Sequence, residues 1–186
     1  MDLKKKCDVL IIGAGPAGAS LAYYLAREGI DTILIDKKKD AGSPVRCAEY
    51  VPSALGRLYD IPIQGIELST VAMTTFIDYR EAGTIKAPGF MLDRKRFSTW
   101  LIDSYMAEGG IFYSSARAVS LYGDNDCVHT AVIYRGSSHT ITSRSLAGAD
   151  GPDSLAGKYM GSINEGYILG LNENIPVEAK DKKKTM

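Results

Sequence analysis

The 186-residue chain is poor in several things, and each shortage removes a class of protein. Its three cysteines are unevenly spaced and form no CxxC pair. Neither a disulfide framework nor a thiolate metal site is expected, and a reducing cytoplasm is the expected compartment. Two isolated histidines, His129 and His139, read as surface residues rather than ligands, so no metal is expected. Net charge is zero, with 22 Lys+Arg against 22 Asp+Glu. That argues against nucleic acid, which needs a concentrated basic surface. The runs Lys4-Lys5-Lys6, Lys37-Lys38-Lys39 and Lys182-Lys183-Lys184 are short and read as solvated edges. No apolar stretch reaches the ~18 residues of a membrane-spanning helix. Charges before an apolar run give the N-terminus the outline of a signal peptide, but Gly13-Ala14-Gly15-Pro16 breaks that run. No GxSxG signature points to acyl transfer. What is present is a globular composition, 45% hydrophobic and 24% charged, sufficient for one domain or one domain plus part of another.

Cys7 to Ile12 is a short apolar run closed by glycine, which predicts a buried parallel strand. Pro16 to Glu28 carries Ala and Leu at helical spacing, with Pro16 suited to a first turn and Gly29 to a stop. Asp31 to Asp36, around Thr32-Ile33-Leu34-Ile35, predicts a second buried strand, completing a βαβ unit. Residues 41–65 read as loop with one helical turn near Ser53. Ser69 to Tyr79 and Thr84 to Leu92 predict sheet, with turns at Glu81-Ala82-Gly83 and Pro88-Gly89. Arg94 to Glu108 predicts a helix that aligns Phe97, Leu101, Ile102 and Tyr105. Ile111 to Ser114 follows as a short strand, then a meander over Arg117–Leu121, Cys127–Tyr134 and His139–Ser143. Ser145 to Ala149 runs into Asp150-Gly151-Pro152 and a further helix. Tyr167 to Leu171 is expected as one more strand, and the tail from Glu178 as loose polar chain.

Gly13-Ala14-Gly15-Pro16-Ala17-Gly18 satisfies GxGxxG, a pattern that gains a mechanism only between a strand and a helix, where it falls here. Gly13 makes the tight turn, Gly15 lets backbone approach a pyrophosphate, and Gly18 permits close helix–strand packing. The helix N-terminus then offers free N–H groups and a positive dipole end to phosphate. Asp36, eighteen residues after Gly18, stands at the end of the second strand, where a carboxylate accepts from ribose hydroxyls. A dinucleotide is the expected ligand.

The wider string Asp8 to Gly18, with Asp36-Lys37, resembles FAD-binding proteins more than soluble dehydrogenases. Gly148-Ala149-Asp150-Gly151-Pro152-Asp153-Ser154 resembles the GxDGxxS stretch of flavoprotein hydroxylases, although a plain strand-to-helix turn with a capping Asp also explains it. Pro44-Val45-Arg46-Cys47-Ala48-Glu49-Tyr50-Val51, with Arg94-Lys95-Arg96-Phe97-Ser98-Thr99-Trp100-Leu101, is similar to the geranylgeranyl reductase family. Those enzymes use reduced FAD to saturate isoprenoid double bonds of lipids.

That resemblance implies Cys47, Ala48 and Tyr50 beside the flavin, Arg94 on the FAD phosphates, and backbone near Ala118 on the adenine. Cys47 reads equally as an inert buried thiol. The chain departs from the family by carrying Tyr50 for a common glycine and Ser98 for a common aspartate. It also lacks a counterpart of the family's later Gly-Asp motif and of much of its lipid-binding wall, so marginal stability and low activity are expected of it alone.

The implied fold is α/β: a glutathione-reductase-type, Rossmann-like FAD-binding domain over residues 1–60 and 93–160. A β-meander and part of an antiparallel substrate domain, residues 61–92 and 161–186, complete it. The implied function is FAD-dependent reduction of isoprenoid C=C bonds, with an isoprenoid lipid substrate, an unidentified external electron donor and peripheral membrane contact. A flavin monooxygenase and an inactive FAD-binding fragment are the other readings, and no proton donor is named.

Overall fold

The computed structural model describes residues 2–40, 42–45, 47–59 and 63–170. They divide into two compact units, the first within Met1–Ser43 and Ser98–Ile168, the second covering Pro44–Phe97 and the described residues from Leu169 on.

The first unit is built on β1 (Lys6–Ile12), α1 (Pro16–Arg27) and β2 (Thr32–Ile35). In β1 and β2 the sequence is almost continuously apolar because both faces are covered, as parallel strands between layers require. Leu10, Ile11, Ile33, Leu34 and Ile35 are fully buried. Helix α1 turns Gly18, Ala19, Ala22 and Tyr23 inward, the first three small enough to allow close approach to the sheet, and stops before Gly29 with φ +73°.

In the second unit, β3 (Tyr50–Pro52) and β4 (Ile66–Ile77) both pair antiparallel with β5 (Arg80–Leu92), which lies between them. A single 3-10 turn, Ser53–Arg57, follows β3. The expected turn at Glu81-Ala82-Gly83 is instead strand. Asp78 and Tyr79, at φ +49° and +62°, make a two-residue turn that pairs Ile77 with Arg80. Pro88-Gly89 is likewise inside β5. Pro88 falls where the register shifts between Thr70 and Ala72, a place where its missing N–H breaks no ladder bond.

Helix α2 (Arg94–Ala107) begins in the second unit and continues into the first. Next come β6 (Ile111–Tyr113), β7 (Arg117–Gly123), β8 (Val128–Tyr134) and β9 (Ser137–Gly148), then the short helix α3 (Leu155–Tyr159). The sheet order is β6-β2-β1-β9-β8-β7. β6, β2, β1 and β9 run parallel, whereas β7, β8 and β9 form the antiparallel meander. The last meander strand and the strand expected at Ser145–Ala149 are thus one element. At its far edge Asp124 closes the β7–β8 turn by accepting from the N–H groups of Asp126 (3.0 Å) and Cys127 (2.8 Å). His129 bonds the same carboxylate at 2.8 Å and, with the two turn amides, holds its pKa down to about 2.

The strand expected at Tyr167–Leu171 is absent over Tyr167–Gly170, and Leu171 lies outside the described residues, as does the expected loose tail. Ile168 and Leu169 are 100% and 88% exposed, and no strand among the described residues pairs with this apolar run. No helix among the described residues is long and apolar enough to cross a membrane.

One buried phenol ties the first unit together. Tyr105 on α2 accepts from the Ile111 N–H (2.9 Å) and donates to the Thr32 carbonyl (2.9 Å), with Thr32 Oγ1 at 3.1 Å. It fixes α2 to the starts of β2 and β6 at once, and burial pushes its pKa up. Tyr105→Phe is expected to destabilise the chain by about 1–3 kcal/mol, since it strands buried backbone groups. Urea unfolding would show a lower midpoint at an unchanged slope.

Candidate functional site

The glycine loop leaves β1 at Gly13, whose φ of +102° suits only glycine. The Gly13 N–H donates to the Ile35 carbonyl (2.8 Å) and the Ala149 N–H to the Ile12 carbonyl (2.8 Å), so the ends of β1, β2 and β9 converge here. A methyl group at Gly13 would overlap the Ala149 carbonyl, and one at Gly18 would overlap the carbonyl of Gly13. These two glycines serve the protein's own packing.

Gly15 differs. It is the N-cap of α1 with φ −68°, and a Cβ there would meet nothing within 4 Å. Neither strain nor packing within the chain asks for glycine at this position, while open space in front of it lets a ligand reach the backbone. Pro16 occupies the first turn of α1, Ala17 is exposed, and that turn has no acidic residue and no side-chain cap. Its N–H groups and the positive helix end are therefore available to an anion.

Asp36, half-buried after β2, closes the loop from the other side. Its Oδ2 accepts from the Ala14 N–H (2.7 Å) and its Oδ1 from the Lys38 N–H (2.7 Å). Each carboxylate oxygen has a further lone pair, so the group still has capacity for ribose hydroxyls. Lys37 is exposed between these contacts. Two groups that residue patterns did not reveal hold this segment: the Ser115 N–H donates to the Lys38 carbonyl and the Ala116 N–H to that of Asp36, both at 2.9 Å. Backbone donors leave little trace in sequence, and the Ser114-Ser115 pair closing β6 is the only signal. Ala118 lies slightly beyond, half-buried on β7 opposite Val132.

At the end of β9, Asp150 accepts from Ser154 Oγ (2.5 Å) and the Leu155 N–H (2.6 Å), and Ser154 accepts from the Gly157 N–H (2.7 Å). The capping explanation of Asp150 is thus correct in geometry. It also holds Gly151, at φ +86°, on the rim of an open cavity of ≈ 240 Å³. Lys158, Asn164 and Tyr167 line the far wall, with Asn164 Nδ2 bonded to the Pro152 carbonyl at 2.8 Å.

The remaining expected residues lie in the second unit. Cys47 is half-buried and its Sγ accepts from the Glu49 N–H at 3.4 Å, while Ala48 is exposed and Arg46 lies outside the described residues. Tyr50, first in β3, rests its ring on the bare backbone of Gly89. The Arg94 guanidinium sits 5.4 Å from the Phe97 ring centroid. Cys7 is different in kind: burial, with Asp31 adding to it, pushes its thiol up to about 12, so it is inert. No cluster able to hold a metal occurs among the described residues.

Residues 6–167 match the family of FAD binding domains, and the chain belongs to it. Over 167 residues it is 32% identical to the digeranylgeranylglycerophospholipid reductase of Methanosarcina mazei, a match covering 86% of this chain and 41% of that protein. An uncharacterized protein in the nifH2 5′ region of Methanosarcina barkeri is 27% identical, with 83% and 87% covered. Among solved structures, a geranylgeranyl bacteriochlorophyll reductase-like protein of Thermoplasma acidophilum superposes with a TM-score of 0.75 at 23% identity, over 89% of this chain and 44% of that one. A flavin-dependent monooxygenase solved with FAD and substrate gives 0.67 at 18%, over 86% and 33%. The chain spans about two fifths of the length of the curated reductases it matches. The open space at Gly15, the uncapped start of α1 and the spare acceptors of Asp36 fit FAD, the cofactor of this family.

Gly15→Ala and Gly18→Ala separate ligand space from packing. Gly15→Ala is expected to leave the melting temperature near wild type while weakening FAD binding at least tenfold. Gly18→Ala is expected to lower the melting temperature by several degrees, because its methyl has backbone in its way. Calorimetry and a fluorescence titration of FAD check both.

Proposed function

We propose that the chain is the cofactor-binding part of a flavin-dependent reductase that saturates C=C bonds in the isoprenoid chains of a lipid. The observation that carries this reading is the 32% identity to a digeranylgeranylglycerophospholipid reductase, which runs over 86% of the chain. When bound, FAD supplies the reducing equivalents, and the protein supplies binding, orientation and electrostatics. In this reading the backbone of Gly15, Pro16 and Ala17 faces the pyrophosphate at the positive end of α1, and Gly13 and Gly18 shape the turn that presents it. Asp36 takes ribose hydroxyls with its remaining lone pairs, Lys37 borders them, and backbone near Ala118 meets the adenine. Asp150, by capping α3, holds Gly151 and its neighbours rigid beside the cofactor. The roles of Cys47, Ala48, Tyr50 and Arg94 rest on family resemblance.

Residues 61–92 and 161–186 are read as part of a substrate domain, with the lipid reached at a membrane face. An external donor must return two electrons for each bond saturated.

Titration with FAD and with NAD, followed by anaerobic reduction of the bound flavin and addition of a geranylgeranylated lipid, tests the reading. FAD binding, lipid-dependent flavin reoxidation and a lipid mass gain of two hydrogens per double bond are expected. Tight NAD binding without FAD binding overturns it, as does NADPH-driven oxygen uptake with no effect of lipid. Asp36→Ala should weaken FAD binding by about 10- to 100-fold, the effect of losing a hydrogen bond to a charged acceptor.

Cys47 offers a separate check. Mass-resolved alkylation should show Cys47 protected by saturating FAD, with Cys7 slow in both states because its thiolate is suppressed. Cys47 labelling indifferent to FAD would remove it from the flavin's surroundings.

A further inference from the structure

We infer that β4 is a self-association edge, through which two copies of the chain join antiparallel about a two-fold axis at Ala72. In the second unit β5 is central and β4 is outermost, and no strand among the described residues pairs with the outer side of β4. From Leu68 to Ile77 this strand contains no charged residue, no proline and no glycine. The register shifts beside Val71 and between Thr75 and Phe76 add residues to β5, so β4 itself runs unbroken through this stretch. Proteins that keep an edge unpaired use charges, proline or bulges to do so, and over Leu68–Ile77 the edge strand β4 itself carries none of them, the extra residues lying on β5.

Both faces of the ribbon carry exposed apolar side chains, Leu68 (49%) and Phe76 (62%) sharing the face of Thr70 and Thr74. Met73 pairs with Ile85, and Val71, Met73, Ile77 and Ile85 are 62%, 44%, 63% and 65% exposed on one face. On the other face the Thr74 and Thr84 hydroxyls bond at 2.9 Å, and Thr84 continues to Glu81 at 2.8 Å.

A second copy fits this edge by its own symmetry. A two-fold axis perpendicular to the sheet keeps facing side chains on one face, so some residue must oppose itself. With Ala72 in that position, Val71 faces Met73 of the other copy, Thr70 faces Thr74, and Leu68 faces Phe76. Apolar meets apolar, hydroxyl meets hydroxyl, and no charge opposes a charge. Glu67, the one charge in β4, lies at its end and is held by Arg96 at 3.1 Å. The chain's zero net charge leaves no long-range repulsion between copies. The product is a closed dimer with one six-stranded antiparallel sheet.

Sedimentation velocity on the full chain tests this. A dimer at tens of micromolar is expected, with Ala72→Lys and Ala72→Glu each raising its dissociation constant at least tenfold. An equimolar mixture of the two variants should dimerise again, since opposite charges then meet at the axis. Lys86 faces Ala72 across the hairpin, so circular dichroism accompanies each variant. Ala72→Cys, a near-isosteric change, gives a readout free of added charge: mild oxidation should yield a disulfide-linked dimer that wild type does not form. A wild-type monomer, species beyond a dimer, undiminished dimer in both charged variants, or no cross-link in the Ala72→Cys variant would overturn the inference.

Discussion

The first unit depends on one close approach, that of Gly18 in α1 to the carbonyl of Gly13. Bare backbone at position 18 lets the helix start close to the end of β1, with only Gly13, Ala14 and Gly15 between them. The first-turn N–H groups then stand at the edge where β1, β2 and β9 converge. Asp36 braces this geometry through the Ala14 N–H, so a single carboxylate ties the glycine loop to the segment after β2. A dipole end directed in this way keeps its field without needing to reorganise when an anion arrives.

How much of this was legible in the sequence follows the range of the interactions. The βαβ opening, Asp36 and the capping role of Asp150 follow from spacings inside a few dozen residues, where strand and helix periods dominate. The hairpin turn was misplaced because Asp78 and Tyr79 are neither glycine nor asparagine, and the alternatives Glu81-Ala82-Gly83 and Pro88-Gly89 have stronger turn composition. Their place in β5 is set by pairing with β4 and β3, which a linear pattern does not contain. The run Tyr167 to Gly170 failed for the converse reason: its composition favours a strand, but no strand among the described residues pairs with it. In the site, the Ser115 and Ala116 backbone contacts were invisible because any residue has an N–H, whereas the glycines were visible because only glycine fits at Gly13 and Gly18.

The fold by itself does not choose a reaction. Proteins as different as a geranylgeranyl bacteriochlorophyll reductase-like protein and a flavin-dependent monooxygenase share it with this chain at low identity. In the proposed reading the glycine loop, Asp36 and the Asp150-Gly151 stretch hold the nucleotide whichever carbon the flavin addresses. Selection between substrates must therefore come from residues away from the nucleotide end, and the proposed choice of a lipid rests on the sequence likeness to the lipid reductases.

Strand β9 belongs to two ladders, pairing with β8 over Ser137–Ser143 and with β1 over Thr142–Gly148. The two stretches overlap at Thr142 and Ser143, so no hinge separates the meander from the nucleotide-binding sheet. Opening β8 away from β1 would mean breaking one continuous strand, which makes the two part of a single cooperative unit. A meander that cannot detach gives the phosphate end of the site the stiffness of the whole sheet.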